Sequence, residues 1–494
     1  MNTRVPRLLA SLVLAALAVP WSGCDRGTGP QARQPRNVLL VTLDTTRADY
    51  IGCYEPQRAA NTPHLNALAA DGTQFLRCIS ASAATPVSHA SILTGLYPFE
   101  HGLRVIYAKS GCRLKADVPY LPALLQAAGW RTAAFLSAFT VSEFYGFQRG
   151  FDTFDSGLTR AAEGIMRPDE TGHYEWGVVD NQRRSDHTTD AALAWLDQAS
   201  PRTPFFLWVH YWDPHDWTPG VPETAPPPEF SRPFMEAATG SGPDQLRAMY
   251  AAEVAFVDLQ FGRLIDKLKA RGCYDDTLIV VLADHGQGLG DHNWWPHRLL
   301  YQEQIHLPLI VRMPAQPGGR RIDSLVRSID VYPTILEAVG VPSPQPVTGE
   351  SLLGLLQGRA GEPRYAYADG PHKYDLNAAM LARRPKDGNL YCLTDGTWKL
   401  LLRLDNPDDS ELFNLASDPR EARNVYRTEV AQAERLRRIL DDLNPYQLEP
   451  FADEGRGDRG ALKALESLGY VGSRADDQIE PDTQPTSRNA PSDD

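Results

Sequence analysis

The sequence predicts a doubly wound α/β fold, in which helices cover both faces of a mostly parallel sheet, followed by a small antiparallel C-terminal subdomain. Asn37–Leu43 and Thr277–Leu282 are nearly continuous apolar runs, which is typical of strands buried on both faces. Amphipathic segments such as Gln245–Ala270 separate such runs. This alternation of strands and helices indicates an α/β layer structure. With 494 residues, 42% of them hydrophobic, the chain can bury a large core.

The remaining elements follow from the same patterns. Thr62-Pro63 begins a predicted helix through Ala70, because proline is favoured at the first helical position. Further strands are predicted at Thr132–Leu136 and Pro204–Val209, and further helices at Val87–Leu93 and Thr188–Gln198. After about Gly361 the pattern changes to short strand-like segments, at Gly396–Leu404 and Glu411–Leu415, and a helix near Glu429–Leu443. These pieces predict the antiparallel subdomain.

The N-terminus is predicted to be a secretion signal. Arg4 and Arg7 precede the apolar run Leu8–Val19, which is short for a membrane span. The run ends in Trp21-Ser22-Gly23-Cys24, which resembles a bacterial lipoprotein processing site and would place a lipid on Cys24. Ordinary signal cleavage nearby is the alternative. In both cases we expect an exported protein of the periplasm or cell envelope, anchored to the membrane if Cys24 is lipidated.

The expected organisation divides the chain into five parts. Residues 1–24 form the signal, 25–36 a tether, 37–360 the catalytic domain and 361–450 the C-terminal subdomain. Residues 451–494 form a tail that is rich in Asp, Pro, Ser and Thr, and we expect it to be disordered from about residue 473.

Charge and cysteines limit the partners and the cross-links. The net charge of −13 argues against nucleic acid as a partner, because a phosphate backbone needs a basic surface. Six cysteines are present, and lipidation of Cys24 would leave an odd number. One disulfide among Cys53, Cys78 and Cys112 is conceivable in an exported protein, and buried free thiols are the equal alternative.

Two predicted strands end in acidic residues. Asp44 follows the first strand, and Asp284 and His285 follow the strand that begins at Thr277. Ligands bind at the carboxyl ends of strands in such sheets, and carboxylates with an imidazole suit a divalent cation. An Asp that merely caps the next turn is the alternative for either position alone. For the pair, followed by His-Gly, we favour a metal site.

Thr85 begins the segment TPVSHASILTG at residues 85–95, whose helix would present its positive end to an anion. A metal in contact with the hydroxyl would make it a usable nucleophile. The alternative is a helix N-cap, a common use of threonine. Nearby histidines can hold oxyanions or transfer protons. The candidates are His89, His101, His215, His292 and His297, of which His215 and His297 are favoured.

Several ordered motifs resemble the sulfatase branch of the alkaline phosphatase superfamily, from Asn37 to about Val425. They are NVLLVTLDTTRAD, TPHLNALAADGTQF, TPVSHASILTGLYPFEHG, LPALLQAAGWRTAAF, GFQRGFDTFD, FFLWVHYWDPH, ADHGQGLGDH, YQEQIHLPLIVRMP and WKLLLRLDNPDDSELFNLASDPREARNV.

The resemblance implies a role for each matching residue. Asp44, Asp284 and His285 would bind the metal, and Thr85 would be the nucleophile and touch the metal as well. His215 would contact the substrate or the leaving group. His297 stands where many relatives have a sulfate-holding lysine. Asp213, with His215 and His297, is the only visible source of a second set of metal ligands, and its spacing fits poorly.

Three departures from the family pattern bear on the chemistry. True sulfatases carry C-x-P-x-R, whose cysteine is oxidised to formylglycine, whereas this chain has Thr85 and places His89 at the arginine position. A second aspartate after the first is replaced by Thr45. We therefore expect an exported, metal-dependent hydrolase that cleaves sulfate or phosphate esters, phosphate esters being favoured, with Thr85 as the nucleophile and His215, His297 and His89 as further catalytic candidates.

The substrate class expected from this chemistry is an anionic ester, such as a sulfated or phosphorylated glycan or lipid, and the cofactor is a divalent ion (Ca²⁺, Mn²⁺, Mg²⁺ or Zn²⁺). Two other functions stay open. One is a transferase that passes a phospho-group from a lipid donor to an envelope acceptor. The other is an inactive binding protein that retains the fold and the metal pocket.

Overall fold

The computed structural model describes residues 34–57, 60–106, 112–156, 182–200, 202–217, 225–240, 242–374, 378–443 and 445–446, and the short strands at 167–168 and 174–175. Its strands, in chain order, are β1 Asn37–Leu43, β2 Thr73–Ile79, β3 Arg131–Phe135, β4 Thr153–Asp155, β5 Arg167–Pro168, β6 Tyr174–Glu175, β7 Phe205–Tyr211, β8 Thr277–Ala283, β9 His306–Arg312, β10 Arg320–Arg327, β11 Ala366–Gly370, β12 Leu390–Thr394, β13 Trp398–Arg403 and β14 Glu411–Asn414.

The helices alternate with these strands through most of the chain. They are α1 Pro63–Asp71, α2 Thr85–Thr94, α3 Pro98–His101, α4 Leu121–Ala127, α5 Ser185–Gln198, α6 Pro228–Ala237, α7 Pro243–Ala270, α8 Gln302–Ile305, α9 Val331–Val339, α10 Leu353–Leu356, α11 Ala378–Arg383 and α12 Val430–Leu443. No helix in the described ranges is both long and apolar enough to span a membrane.

An eight-stranded sheet forms the centre of the molecule, in the order β10-β2-β9-β8-β1-β7-β3-β4. Seven strands run in one direction, and β9 alone is antiparallel to its neighbours β2 and β8. Every residue of β1, β7 and β8 is buried, because helices flank the sheet. The prediction of a mostly parallel, helix-flanked sheet is confirmed.

Helix α2 is buried over its entire length, which is unusual for a helix in a soluble fold. Gly95 ends it with φ 71°, a left-handed conformation that glycine adopts most readily. A Cβ atom at Gly95 would lie 2.8 Å from the Tyr332 ring, so the close packing of α9 also requires glycine there. The helix that carries Thr85 is therefore fixed rigidly in the core.

A separate four-stranded antiparallel sheet, in the order β11-β12-β13-β14, forms the C-terminal part of the structure. Helix α12 packs on it through Ala433, Leu436 and Leu440. This confirms the antiparallel C-terminal architecture, with strands one to three residues shorter than predicted. The boundaries proposed for the five parts of the chain stay predictions, and the signal, Cys24, the tether to residue 33 and the tail lie outside the described residues.

Several element boundaries need correction. Helix α2 begins at Thr85 and not at Val87, β7 extends two residues beyond Val209, and α5 begins at Ser185. Strands β2, β4, β9 and β10 of the central sheet were not predicted. Cys53 and Cys78 are free thiols, so the disulfide considered for them does not form.

Candidate active site

Neighbouring strands bring the two acidic residues together. Leu43 at the end of β1 is paired with Ala283 at the end of β8, so Asp44 and Asp284 leave the sheet side by side. Both side chains are completely buried. Their convergence follows from parallel pairing in register, which places residues of equal depth at one edge of the sheet.

Asp44, Asp284 and His285 form a group with metal-binding geometry. One ligand atom from each lies within 4.8 Å of the others. Oδ1 of Asp284 accepts hydrogen bonds from the backbone N–H groups of Thr45 (3.0 Å) and His285 (2.7 Å). Among the described residues, Oδ1 of Asp44 and Oδ2 of Asp284 accept no hydrogen bond. Two buried carboxylate oxygens are thus left for another ligand.

The electrostatics of the pair support the same conclusion. Burial raises the pKa of Asp44 well above its ordinary value, and the neighbouring Asp284 carboxylate raises it further. Burial also raises the pKa of Asp284, which the Thr45 and His285 N–H groups offset in part. Two buried carboxylates are costly without a positive charge between them. The residues present therefore fit a divalent cation, which prefers such oxygen and imidazole donors.

The Thr85 hydroxyl lies at this group. Its Oγ1 is 3.2 Å from Nε2 of His285, and the hydroxyl is close enough to Asp44 and Asp284 to offset part of the rise in their pKa values. Nδ1 of His285 faces the carbonyl oxygen of Gly286 at 3.0 Å and so carries the ring proton in the neutral form. Nε2 of His285 is then the lone-pair side, able to accept from Thr85 or to bind a cation.

Thr85 is not the N-cap of α2, which corrects the alternative considered for it. The N-cap position is Ala84, whose φ/ψ is extended, and Thr85 is the first helical residue. The hydroxyl is consequently directed to His285 and the aspartates and is not consumed in capping the helix.

His297 and His215 line the same space. The His297 ring centre is 4.6 Å from that of His285 and 5.4 Å from that of His215. Nδ1 of His297 is fixed by the carbonyl of Ala83 at 2.9 Å, while the His215 ring stacks on Trp212 at 3.9 Å. Burial lowers the pKa of His285 to about 3 and that of His297 well below its ordinary value, so both rings are neutral at pH 7.

His89 lies on the inner side of the group. Its Nδ1 contacts the Thr85 carbonyl at 2.8 Å and lies 3.6 Å from Oδ2 of Asp284. The ring packs between His210 and Trp208, and burial lowers its pKa to about 4. The structure therefore places His89 beneath the metal-binding group, against the backbone and not the hydroxyl of Thr85.

The sequence analysis missed His210. This buried residue of β7 is paired with Thr42 of β1, and its Nε2 lies 3.1 Å from Oδ2 of Asp44. A histidine inside the apolar run FFLWVHYW was the available signal, but the predicted strand ended at Val209. Two other candidates lie elsewhere: His101 is 3.0 Å from Ser91 Oγ, and His292 is 3.2 Å from Glu303.

Comparison with known families agrees with this geometry. The sequence profile of the family named Sulfatase matches residues 36–341, more than half of the chain. The chain belongs to the sulfatase family. A second profile, N-sulphoglucosamine sulphohydrolase, C-terminal, matches residues 290–445 and so includes the antiparallel sheet.

Sulfatase relatives match along nearly the whole chain. N-acetylglucosamine-6-O-sulfatase of Bacteroides thetaiotaomicron is 24% identical over 92% of this chain and 95% of its own length. The multifunctional alkaline phosphatase superfamily protein PehA of Trinickia caryophylli is 27% identical, over 78% of this chain and 92% of its own. The phosphonate monoester hydrolase of Silicibacter pomeroyi has a similar structure, with a TM-score of 0.63, 26% identity and coverage of 85% and 96%. This sulfatase-family chain is accordingly an ester hydrolase.

Proposed function

We propose that the protein is a metal-dependent hydrolase of sulfate or phosphate esters in which Thr85 is the nucleophile. The observation that carries the proposal is the position of the Thr85 hydroxyl, 3.2 Å from Nε2 of His285 and beside two buried carboxylates. A hydroxyl at a cation site and at the start of a rigid buried helix is suited to attack an anionic ester.

Asp44, Asp284 and His285 would hold the cation, using Nε2 of the imidazole and the two carboxylate oxygens that accept no hydrogen bond within the described residues. A divalent ion bound there would lower the pKa of the Thr85 hydroxyl and offset charge on the transferred group. His89 and His210 would help to position the two carboxylates. His89 contacts the carboxylate of Asp284, and His210 contacts that of Asp44.

The chain's own residues then carry the reaction. Thr85 Oγ1 loses its proton to water and attacks sulfur or phosphorus, while the bond from that atom to the leaving-group oxygen breaks. His215 donates a proton to the departing oxygen, and His297 orients the non-bridging oxygens. Water next attacks the sulfur or phosphorus of the Thr85 ester and gives one proton to His215. The bond to Thr85 Oγ1 breaks, this oxygen takes back a proton from solvent water, and sulfate or phosphate is released.

This chemistry favours phosphate over sulfate esters. The hydrate of formylglycine can release its sulfate by collapse to the aldehyde, whereas a threonine ester cannot. Breakdown of the threonine ester requires attack at sulfur or phosphorus. We propose phosphate mono- or diesters as the better substrates. A glycan carrying such groups is consistent with the N-acetylglucosamine-6-O-sulfatase relative.

The test is a panel of 4-nitrophenyl sulfate, phosphate, phosphodiester and phosphonate, assayed with each of Ca²⁺, Mn²⁺, Mg²⁺ and Zn²⁺. Thr85→Ala should abolish turnover of every ester, and Thr85→Ser, which keeps the hydroxyl, should retain it. Mass spectrometry of acid-quenched enzyme should place the added group on the peptide that contains Thr85. Turnover that survives Thr85→Ala would overturn the assignment.

We further propose that the protein is exported and tethered by a lipid on Cys24, on the strength of the signal-like sequence that ends there. Cells fed a labelled fatty acid should incorporate the label, and Cys24→Ala should lose it and shift the protein from the membrane to the soluble fraction. A lipid donor consumed only when an acceptor is present would instead favour the transferase.

A further inference from the structure

His215 is the most exposed of the five histidines around Thr85. Its side chain is 12% exposed, whereas those of His89, His210 and His285 are completely buried and His297 is 4% exposed. The transferred group must lie at the buried Thr85 hydroxyl, and the rest of the substrate must leave toward solvent. Given the proposed function, His215 therefore lies on the leaving-group side.

Asp216 provides a carboxylate next to His215. Its Oδ1 lies 3.6 Å from Nδ1 of His215, within ion-pair distance, and its side chain is only 11% exposed. Oδ2 of Asp216 is buried and accepts no hydrogen bond from the described residues. A carboxylate beside one ring nitrogen of a histidine fixes the orientation of the imidazole and leaves the other nitrogen to face the substrate.

We infer that Asp216 is the positioning residue for His215: its carboxylate, 3.6 Å from Nδ1, orients the imidazole so that the ring can donate a proton to the leaving-group oxygen. The inference rests on the proposed function. The proton passes from His215 to that oxygen as its bond to sulfur or phosphorus breaks. Stacking on Trp212 fixes the plane of the ring.

Other ionisable groups face this pair and set its electrostatic background. Three histidines, His285, His297 and His210, lie close to His215.

Two carboxylates, those of Asp44 and Glu253, lie close to Asp216. Glu253 belongs to α7 and is fully buried, and its two carboxylate oxygens lack hydrogen-bond partners among the described residues. Burial raises the pKa of Glu253 well above its ordinary value, with Asp213 and Asp216 adding to the effect. Glu253 provides a matched control, because it is also a buried carboxylate close to Asp216 but belongs to α7.

The experiment measures kcat/KM for esters whose leaving groups differ in basicity, on whichever of sulfate or phosphate the wild type cleaves. Nitrophenolate departs without a proton, whereas phenolate and alkoxides need one. Asp216→Asn should leave the 4-nitrophenyl ester within about 3-fold of wild type and lower turnover of the phenyl ester by about 10²-fold. His215→Ala should show the same dependence, Asp216→Glu should recover part of the loss, and Glu253→Gln should resemble wild type.

Rescue by the conservative variant separates this role from a merely structural one. Asp216→Glu, which keeps the carboxylate, should recover more of the lost kcat/KM on the phenyl ester than Asp216→Asn does, while both variants cleave the 4-nitrophenyl ester equally well. An equal loss on all esters, or no change on any, would overturn the inference while leaving Thr85 as the nucleophile. No turnover of any ester by the wild type would overturn the proposed function and the role of Asp216 together.

Discussion

The part of the chain that the structure describes holds two groups of side chains with metal-binding geometry, and the two groups differ in the charges that surround them. Asp44, Asp284 and His285 form the first group, and His292, Glu303 and Glu421 form the second. In each group the ligand atoms lie within 4.8 Å of one another. Donor type and spacing therefore do not distinguish them.

In the second group, a buried lysine already balances part of the negative charge. Nζ of Lys399 lies 2.7 Å from Oε1 of Glu421, and both side chains are completely buried. His292 donates toward Glu303 at 3.2 Å and stacks on Tyr301 at 3.8 Å. Burial tends to lower the pKa of His292, but the hydrogen bond and charge of Glu303, together with the charge of Glu421, raise it overall.

Among the described residues, the ion-pair partners of Asp44 and Asp284 are histidines and include no lysine or arginine. Arg298 lies near enough to His285 to lower the pKa of that imidazole. The imidazoles beside these two carboxylates have lowered pKa values, because they are buried, and so remain neutral near pH 7. Asp44 and Asp284 each retain one oxygen that accepts no hydrogen bond from the described part of the chain. The comparison favours Asp44, Asp284 and His285 as the proposed metal site, because their carboxylates have no lysine or arginine partner within the described residues, whereas Glu421 is paired with Lys399.

The largest expected difference between the groups is in metal content and catalysis. Asp284→Asn should remove the bound metal and lower kcat/KM by at least about 10³-fold, because the cation contributes several kcal/mol to the transition state. Glu421→Gln should keep both, measured on folded protein by elemental analysis and ester turnover. Metal retained by Asp284→Asn, or lost from Glu421→Gln, would break the comparison.

A smaller effect is expected on the stability of the second group. Lys399→Met leaves the buried Glu421 carboxylate without its partner and should lower the free energy of unfolding by about 3–5 kcal/mol. Adding Glu421→Gln to this variant should restore much of the loss, which denaturant titration of the double-mutant cycle would measure. A loss below about 1 kcal/mol would mean that Lys399 does not balance the group.

The smallest expected effect concerns the first group without metal. The pKa of Asp44 is higher in the folded protein than in the unfolded chain. The protonated carboxyl therefore contributes to stability at low pH, and this contribution is lost as the pH rises from the unfolded pKa through the folded pKa. In chelator-treated protein, Asp44→Asn should therefore be more stable than wild type at pH 8, by about 1–3 kcal/mol, and equal to it near pH 3. Excess cation should reverse the order at pH 8. A destabilised metal-free variant would contradict this charge assignment.

The strands at the centre of the sheet, and the convergence of the proposed metal ligands at its edge, were predictable because they depend on local patterns. The apolar runs of β1 and β8 end directly before Asp44 and Asp284. Parallel pairing of these two strands then places both carboxylates at the same edge of the sheet. Strand β9 was harder to place, since Pro308 lies within it and proline disfavours central strands. The structure tolerates it beside an irregularity, where the register with β2 shifts between Leu307 and Leu309.

Other features depended on distant contacts that the sequence does not display. His210 contributes to the site only because β7 continues to Tyr211 beside β1. The role inferred for Asp216 depends on its distance to His215, which the sequence does not show. The role of Lys399 depends in the same way on its burial against Glu421. Spacing along the chain predicts which edge of the sheet a residue reaches, but side-chain pairing there is set by tertiary packing.

The reversed direction of β9 has a consequence for how this active site can vary. Because β8 and β9 are antiparallel neighbours, the segment from Asp284 to Ile305 leaves and re-enters the sheet at the same edge, without a crossover. That excursion contains His285 and His297, together with His292 and Glu303 of the second group. The length and sequence of this segment can change while the order of the strands stays the same. Transferring the segment from one relative to another would therefore exchange all of these side chains together.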